Sequence, residues 1–476
     1  MADNLIQRIV ARTKALQILP VELNQEIAHC LEDDRDVVNF RASCRAAKDA
    51  IDDGHSFWFK RFNNKYDPPT ALDPASPNYK VRLQKLYQKR SKYLSGRMVH
   101  FKVGTTRKEE ETLKVVAALI NGKQTTFSTG QSQLTCRNLE VLKLFIRRSG
   151  ITENMFRPRP TKSKTKESET AEPQYGFLLA AVQLMCAPSV LAPKYGSVYG
   201  FIDSQRLAYA TIKAAPIFCG FNKLEVNMEW ILHVLNFFKY HICKEEENTL
   251  YAPFRNLTKA DTPGFWQKPL HNGPAELGVH WKGTYAYLST SEISLVRAGN
   301  AQGRAFIDHN VDHGDEAIQT MDLQLADDPA FPWPHLFEQC LHSITEDRAP
   351  RTRAQHRTGD AAAFERINQR FQAAGYDDED FRAAGWLNQL PSQHGIAGWK
   401  RVTMMKYFDD GHGSWDGNAL WAYEGVVIPG GQLMLGRWWS PETNVPGRDP
   451  YTGPFIFWNT DLGCDNVECG LHGVNS

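Results

Sequence analysis

Leu277-Gly278-Val279-His280-Trp281-Lys282-Gly283-Thr284-Tyr285-Ala286-Tyr287-Leu288 repeats with a period of two, placing Val279, Trp281, Gly283, Tyr285 and Tyr287 on one face and His280, Lys282, Thr284, Ala286 and Leu288 on the other. This is the pattern of a strand. Shorter stretches of the same texture follow at Arg304–His309, Ile318–Leu325, Arg401–Phe408, Leu420–Ile428, Gln432–Trp439 and Pro454–Trp458. Between two of them, Pro429-Gly430-Gly431 predicts a hairpin turn, because proline presets one turn position and glycine supplies the positive φ of the next. Antiparallel strands with glycines beside aromatics predict a β-rich sandwich or closed barrel over residues 262–476. A helical insertion is expected at 347–390. It comprises a basic loop (Arg348, Arg351, Arg353), a helix around Ala361–Ala374, and acidic Asp377-Asp378-Glu379-Asp380 before Phe381 and Trp386.

Upstream the period changes to that of helices. Leu23, Ile27 and Leu31 fall on one face at i, i+4 and i+8, with Pro20 in a first turn and Glu22 and Glu26 suited to the N-terminal half of the helix dipole. After the polar break Glu32-Asp33-Asp34-Arg35, Asp36 is a candidate N-cap for a second stripe of Val37, Val38, Phe40, Cys44 and Ala47 that ends before Gly54. Residues 4–16 read as a lead-in helix or a frayed end. A helical linker is expected over 67–261. It contains a basic helix from Tyr79 to Tyr93 whose Lys80, Arg82, Lys85, Lys89 and Arg90 read as a solvated face, and a disordered loop at 157–173 that lacks core-forming residues. The fold class is therefore α+β, with an all-α segment at 1–66, the linker, and the β-rich part.

The 476 residues suffice for several domains, and 55 basic against 54 acidic side chains create no global field toward nucleic acid or anionic membrane. Nine cysteines without a dense framework fit reduced thiols in the cytoplasm or nucleus. No run reaches the about 18 uninterrupted apolar residues of a spanning helix, so no membrane role is expected.

The motif Leu19-Pro20-Val21-Glu22-Leu23-Asn24-Gln25-Glu26-Ile27, the acidic break, Val37-Val38, Ser43-Cys44-Arg45 and Phe57-Trp58-Phe59-Lys60-Arg61-Phe62 resemble, over residues 16–62, an F-box. That module docks substrate receptors on the Skp-type adaptor of cullin ubiquitin ligases. Further segments resemble a family of fungal F-box proteins in their order: Trp281 to Tyr287, Gly398 to Lys406, Tyr423 to Gly431, Gly436-Arg437-Trp438-Trp439 and Gly453 to Trp458. The resemblance implies a receptor subunit of an SCF-type ligase that is not itself catalytic. Its adaptor-binding residues would be Leu19, Pro20, Leu23, Ile27, Leu31, Val37, Val38, Cys44 and Trp58; its partners would be the adaptor, the cullin scaffold and an unidentified protein substrate. Two other readings are a small-ligand-binding or hydrolytic β-barrel with a regulatory F-box, and an F-box partner of the adaptor outside a ligase.

Chemistry-bearing clusters are sparse. Asp308-His309-Asn310-Val311-Asp312-His313-Gly314-Asp315-Glu316 has the residue types of a zinc site, but a polar surface loop is the favoured reading. Cys464, Cys469 and His472 lack a fourth ligand. No phosphate loop or nucleophile elbow occurs, and Asp409, Asp410 and Asp416 read as turn carboxylates. No metal or other cofactor is expected. The candidate substrate surface is Trp281, Tyr285, Tyr423, Arg437, Trp438 and Trp439, since aromatics and arginine dominate recognition hot spots. Trp438 and Trp439 are adjacent and point to opposite faces of a regular strand, so at least one is expected outside the core.

Overall fold

The structure, a computed structural model, describes residues 19–69, 72–94, 101, 106–122, 136–152, 176–191, 200–220, 223–246, 249–266, 268–273, 277–299, 304–312, 317–326, 334–341, 368–409, 416–417, 419–441 and 450–461. The chain forms two compact units, Met1–His100 with Arg107–Gly150 and Phe101–Thr106 with Ile151–Ser476. The expected lead-in helix before Leu16, the loop at 157–173, His313 and the Cys464, Cys469 and His472 group lie outside the described residues.

The first unit is all-helical. It holds α1 (Val21–His29), α2 (Asp34–Ser43), α3 (Arg45–Asp52), α4 (Ser56–Lys65), α5 (Tyr79–Leu94), α6 (Arg107–Ile120) and α7 (Arg137–Ser149). Pro20 stands at the N-cap of α1, and the Asn24 amide reaches back to the Leu19 carbonyl at 3.2 Å. The expected single stripe from Val37 to Ala47 is split between two helices. Cys44 is extended between α2 and α3, and its Sγ accepts from the Ala47 N–H at 3.4 Å. Asp33, rather than Asp36, caps α2 by accepting from the Arg35 N–H at 2.9 Å.

The core of this unit runs from Ala28, Val37, Ile51, Phe57, Trp58 and Phe62 through to Leu83 and Tyr87 of α5 and Leu119 of α6. The expected boundary at residue 66 is thus displaced to about 150, because short helices cannot bury their apolar faces alone and the segments after 66 complete their core. The Asp67 carboxylate makes the same join, accepting at 3.0 Å from both the Asn138 N–H and the Cys136 thiol. Arg90, expected on a solvated face, is buried over the rings of Phe62 and Tyr66, with its guanidinium carbon 5.3 and 4.6 Å from their centroids.

One carboxylate knots this unit. Asp34 receives Arg61 Nη2 at 2.8 Å, Ser91 Oγ at 2.6 Å and the Tyr87 hydroxyl, while Lys65 Nζ lies at 3.3 Å. Burial raises its pKa, but the hydrogen bonds from Ser91 and Tyr87, the charge of Lys65 and the bond from Arg61 outweigh that and hold it at about 2.

The second unit carries α8 (Phe177–Met185), α9 (Ala187–Val190), α10 (Phe201–Ala208), β1 (Phe218–Cys219), β2 (Glu225–Val226), α11 (Met228–Cys243) and α12 (Tyr251–Arg255) before its main sheet. The sheet comprises β3 (His280–Tyr285), β4 (Gln319–Ala326), β5 (Asn368–Asp377), β6 (Glu379–Gln389), β7 (Lys400–Tyr407), β8 (Trp421–Val427), β9 (Leu433–Trp439) and β10 (Thr452–Asn459). Among the described residues, two helices interrupt it, α13 (Thr290–Arg297) and α14 (His335–Cys340). Every strand pairs antiparallel with the next, and β10 pairs with β3, so the expected sandwich or barrel is a closed eight-stranded barrel. The Pro429-Gly430-Gly431 turn joins β8 to β9, with φ of 93° and 71° at its glycines. Arg304–His309 is not a strand and touches Tyr287 only through a bridge at His309.

The expected helical insertion is corrected from Asn368 onward, while its basic loop (Arg348, Arg351, Arg353) and residues 361–367 lie outside the described residues. Residues 368–377 and 379–389 are barrel strands, and the predicted helix around Ala361–Ala374 is strand from Asn368 onward. Their glycines explain the local fit. A Cβ on Gly375 would meet the Phe381 ring and the Thr320 carbonyl, and one on Gly385 would meet the Phe371 ring and the Thr403 carbonyl. Each phenylalanine lies across a glycine of the neighbouring strand, filling the lumen while the backbone curves. Gly385→Val is therefore expected to cost about 1–3 kcal/mol through overpacking, read as a lower urea midpoint; an unchanged midpoint would contradict the close approach.

The lumen is filled by Trp281, Met321, Phe371, Val402, Tyr423, Trp438 and their neighbours. The outside of the sheet is also covered: α11 packs against β9 and β10, and Phe337 and Leu341, at and just after α14, join Met405, Ala422 and Trp439 in a second cluster. The expected linker up to residue 261 accordingly ends earlier, since its later helices are a layer of this unit.

Candidate functional site

Four apolar side chains at the start of the first unit stand in water. Val21, Leu23 and Ile27 on α1 are 39, 50 and 37% exposed, and Val38 on α2 is 58% exposed. The opposite side of α1 is anchored. Asn24 and Ala28 are buried, and the Gln25 amide donates to the Ala50 carbonyl at 2.8 Å, which fixes the rotation of α1 with Leu23 and Ile27 outward.

The sequence-derived adaptor residues divide around this row. Pro20, Leu23, Ile27 and Val38 are exposed; Leu19, Leu31 and Cys44 are partly covered; Val37 and Trp58 are buried in the core, where they support the surface instead of forming it. Leu31 lies beyond the end of α1 and packs on the core, so the i, i+4, i+8 stripe stops at Ile27. Val21 belongs to the exposed set and carried no periodic signal.

The expected substrate surface in the second unit is corrected. Trp281, Tyr423 and Trp438 belong to the lumen core, and Tyr285 packs partly buried against it. Arg437 and Trp439 point outward but are buried under the helical layer, so both tryptophans of the adjacent pair are core. The alternation was sound; the inference to a surface failed because both faces of this sheet are covered. At one end of the lumen Lys406 pairs with Asp377 beneath the rings of Phe381, Phe408 and Tyr285, with centroids 4.2, 5.3 and 5.6 Å from its nitrogen.

The acidic loop turns inward. Asp308 and Asp312 grip His241 of α11 at both ring nitrogens, Nε2 to Asp308 at 3.1 Å and Nδ1 to Asp312 at 3.2 Å. Tyr209 and Gln205 each donate to Asp308 at 2.7 Å, and Lys244 reaches Asp312 at 3.1 Å. Burial disfavours the charged imidazole, but its hydrogen bonds to the two carboxylates outweigh that and raise its pKa. Burial raises Asp308, whereas for Asp312 the opposing hydrogen bond and charge of His241 win and hold it at about 2. Both ring nitrogens of His241 thus face carboxylate oxygens, an arrangement that favours the imidazolium. The donor atoms of His241, Asp308 and Asp312 lie within 4.8 Å of one another, close enough for a metal, yet each is engaged in this network. The favoured reading of a polar surface loop is corrected by the burial of Asp308 and Asp312, while His309 stacks on Tyr287 with centroids 5.1 Å apart.

Neither a family model nor a curated protein nor a solved structure matches the chain. Among the described residues, no helix is long and apolar enough to cross a membrane.

Proposed function

We propose that the protein is the substrate-recognition subunit of an SCF-type ubiquitin ligase. In this reading it docks on a Skp-type adaptor through α1 and α2 and presents a protein substrate held by the barrel-bearing unit. The observation that carries it is the outward row of Leu23 and Ile27 on a helix whose other face is locked in place. Among the described residues nothing covers this row, and it lies in the stretch that resembles an F-box. The filled lumen leads us to prefer a receptor over a small-ligand or hydrolytic barrel. A receptor of this kind works by proximity, holding a substrate lysine near a ubiquitin carrier supplied by other subunits.

Covering two half-exposed aliphatic side chains is worth roughly 1.5–3 kcal/mol, or about ten- to 150-fold in affinity. The full chain carrying Leu23→Asp and Ile27→Asp is therefore expected to lose at least about tenfold in capture by a purified Skp-type adaptor while remaining folded, with a lowered melting temperature but an intact cooperative transition, because about half of each side chain already faces water. Undiminished capture by the folded double variant would overturn the docking assignment. Cullin co-purifying with the adaptor supports the ligase; adaptor without cullin supports a role outside it.

A further inference from the structure

On the outside of the barrel a cleft of about 500 Å³ opens between the segment 211–223 and strands β7 to β9. Its size falls within the range of formed ligand sites. Arg401, Glu424 and Trp439 line it from the sheet, Ile217 and Phe218 line it from the facing segment, and Lys213 and Lys223 are exposed lining residues.

The charges do not balance. Among the described lining residues Glu424 is the single acid, against Arg401, Lys213 and Lys223. Arg401 is ion-paired with Glu424 and its guanidinium lies 4.9 Å from the Phe218 ring centroid. Directly across from Glu424 in the β8–β9 register, on the same face of the sheet, stands Arg437. Its side chain is fully buried; Nη2 donates to the Ala215 carbonyl at 3.0 Å, while Nε and Nη1 have no hydrogen-bond partner. Burial also pushes its pKa down to about 9. Buried guanidinium N–H groups without acceptors are costly, and one carboxylate beside two guanidiniums leaves the site short of negative charge. Arg297 adds a further cation at the edge, donating to the carbonyl of the lining residue Pro450 at 3.0 Å.

We propose that this cleft binds a peptide segment bearing an anionic side chain, carboxylate or phosphoryl, flanked by apolar residues. Of the lining cations, Lys213, Lys223 and Arg401 receive the anion, since arginine forks and ammonium groups match both carboxylate and phosphoryl oxygens, while the buried Arg437, its guanidinium carbon 4.7 Å from the Trp230 ring centroid, adds positive charge behind the lining. Ile217, Phe218 and Trp439 cover the flanking side chains. The mixed apolar lining, with Ile217, Phe218 and Trp439 beside the cations, suits a peptide better than a nucleic-acid backbone, which tracks open basic grooves. The proposal names the substrate chemistry for the receptor reading above and rests on that reading only for the fate of the captured peptide.

The test uses the immobilised full chain without adaptor and a pool of eight-residue peptides with randomised apolar flanks and Glu, phosphoserine or Gln at the centre. Recovery of Glu or phosphoserine members at least tenfold above Gln members is expected; preference between the first two identifies carboxylate or phosphoryl as the natural group. Lys213→Glu with Lys223→Glu, both at exposed positions where folding is unaffected, is expected to abolish the enrichment. Equal recovery of all three classes, or enrichment that survives the charge reversal, overturns the proposal. Failure here leaves adaptor capture by α1 untouched, and loss of adaptor capture leaves this binding untouched, so the two readings fail separately.

Discussion

His241→Phe lowers the stability of the barrel-bearing unit by about 3–5 kcal/mol, the usual consequence of removing one partner from a buried ionic group and leaving the others uncompensated. Asp308 is fully buried and Asp312 is 5% exposed, so water cannot replace the imidazolium. The damage is not local. Gln205 and Tyr209 tie Asp308 to α10 and the segment after it, and the same acidic loop bridges to Tyr287 beside the barrel through the His309 N–H at 2.9 Å. A histidine whose folded pKa is raised contributes stability that is fully present below its unfolded value of about 6.5 and is lost as pH rises through the folded value. Chemical denaturation of the wild type should therefore show a His241-linked decline on the alkaline side, and the phenylalanine variant should lack it. A variant as stable as the wild type at pH 6 would refute the role given to this network.

Asp34→Asn is expected to cost the helical unit roughly 2–3 kcal/mol at neutral pH. The depression of Asp34 to about 2 corresponds by linkage to roughly 2–3 kcal/mol relative to an unfolded value near 4, below the about 3–5 kcal/mol for breaking a fully buried pair, as befits a pair that solvent still reaches. Arg61 and Asp34 side chains are 9 and 15% exposed, so solvent screening does not erase the interaction. A depressed carboxyl contributes stability that is present above its unfolded pKa and lost as pH falls through the folded one. The gap between wild type and Asp34→Asn should thus be widest at neutral pH and shrink below pH about 4. A gap independent of pH would mean that shape, not charge, holds this position.

The sequence patterns that survived are those whose cause is local. β3, β4 and β7 to β10 alternate because each has one face in the lumen, and the Pro429-Gly430-Gly431 turn requires only its own backbone. β5 was hidden because Asn368–Asp377 is rich in Gln and Ala and lacks β-branched residues. It is a strand by virtue of ten-residue pairing with β6 and further pairing with β4, which no local pattern announces. The carboxylate-rich loop stood out, but its partner did not: His241 lies 67 residues before Asp308. Leu23 and Ile27 were visible as a stripe, whereas the burial of Val37 and Trp58 depends on α5 and α6 closing over the first four helices. The cleft beside Arg437 escaped because its two walls come from segments far apart in the chain.

The closure of β10 onto β3 sets an order of events during synthesis. The Asn459 amide meets the His280 carbonyl across 179 residues of chain, so the first strand to leave the ribosome keeps one open edge until the last has emerged. Pairings this remote form late and slowly, and an unpaired edge invites pairing with another nascent chain. Until β10 has cleared the ribosome the emerged sheet is unsealed, with adhesive margins first at β3 and, once it is out, at β9, and chaperone occupancy should fall only after Asn459 has left the tunnel.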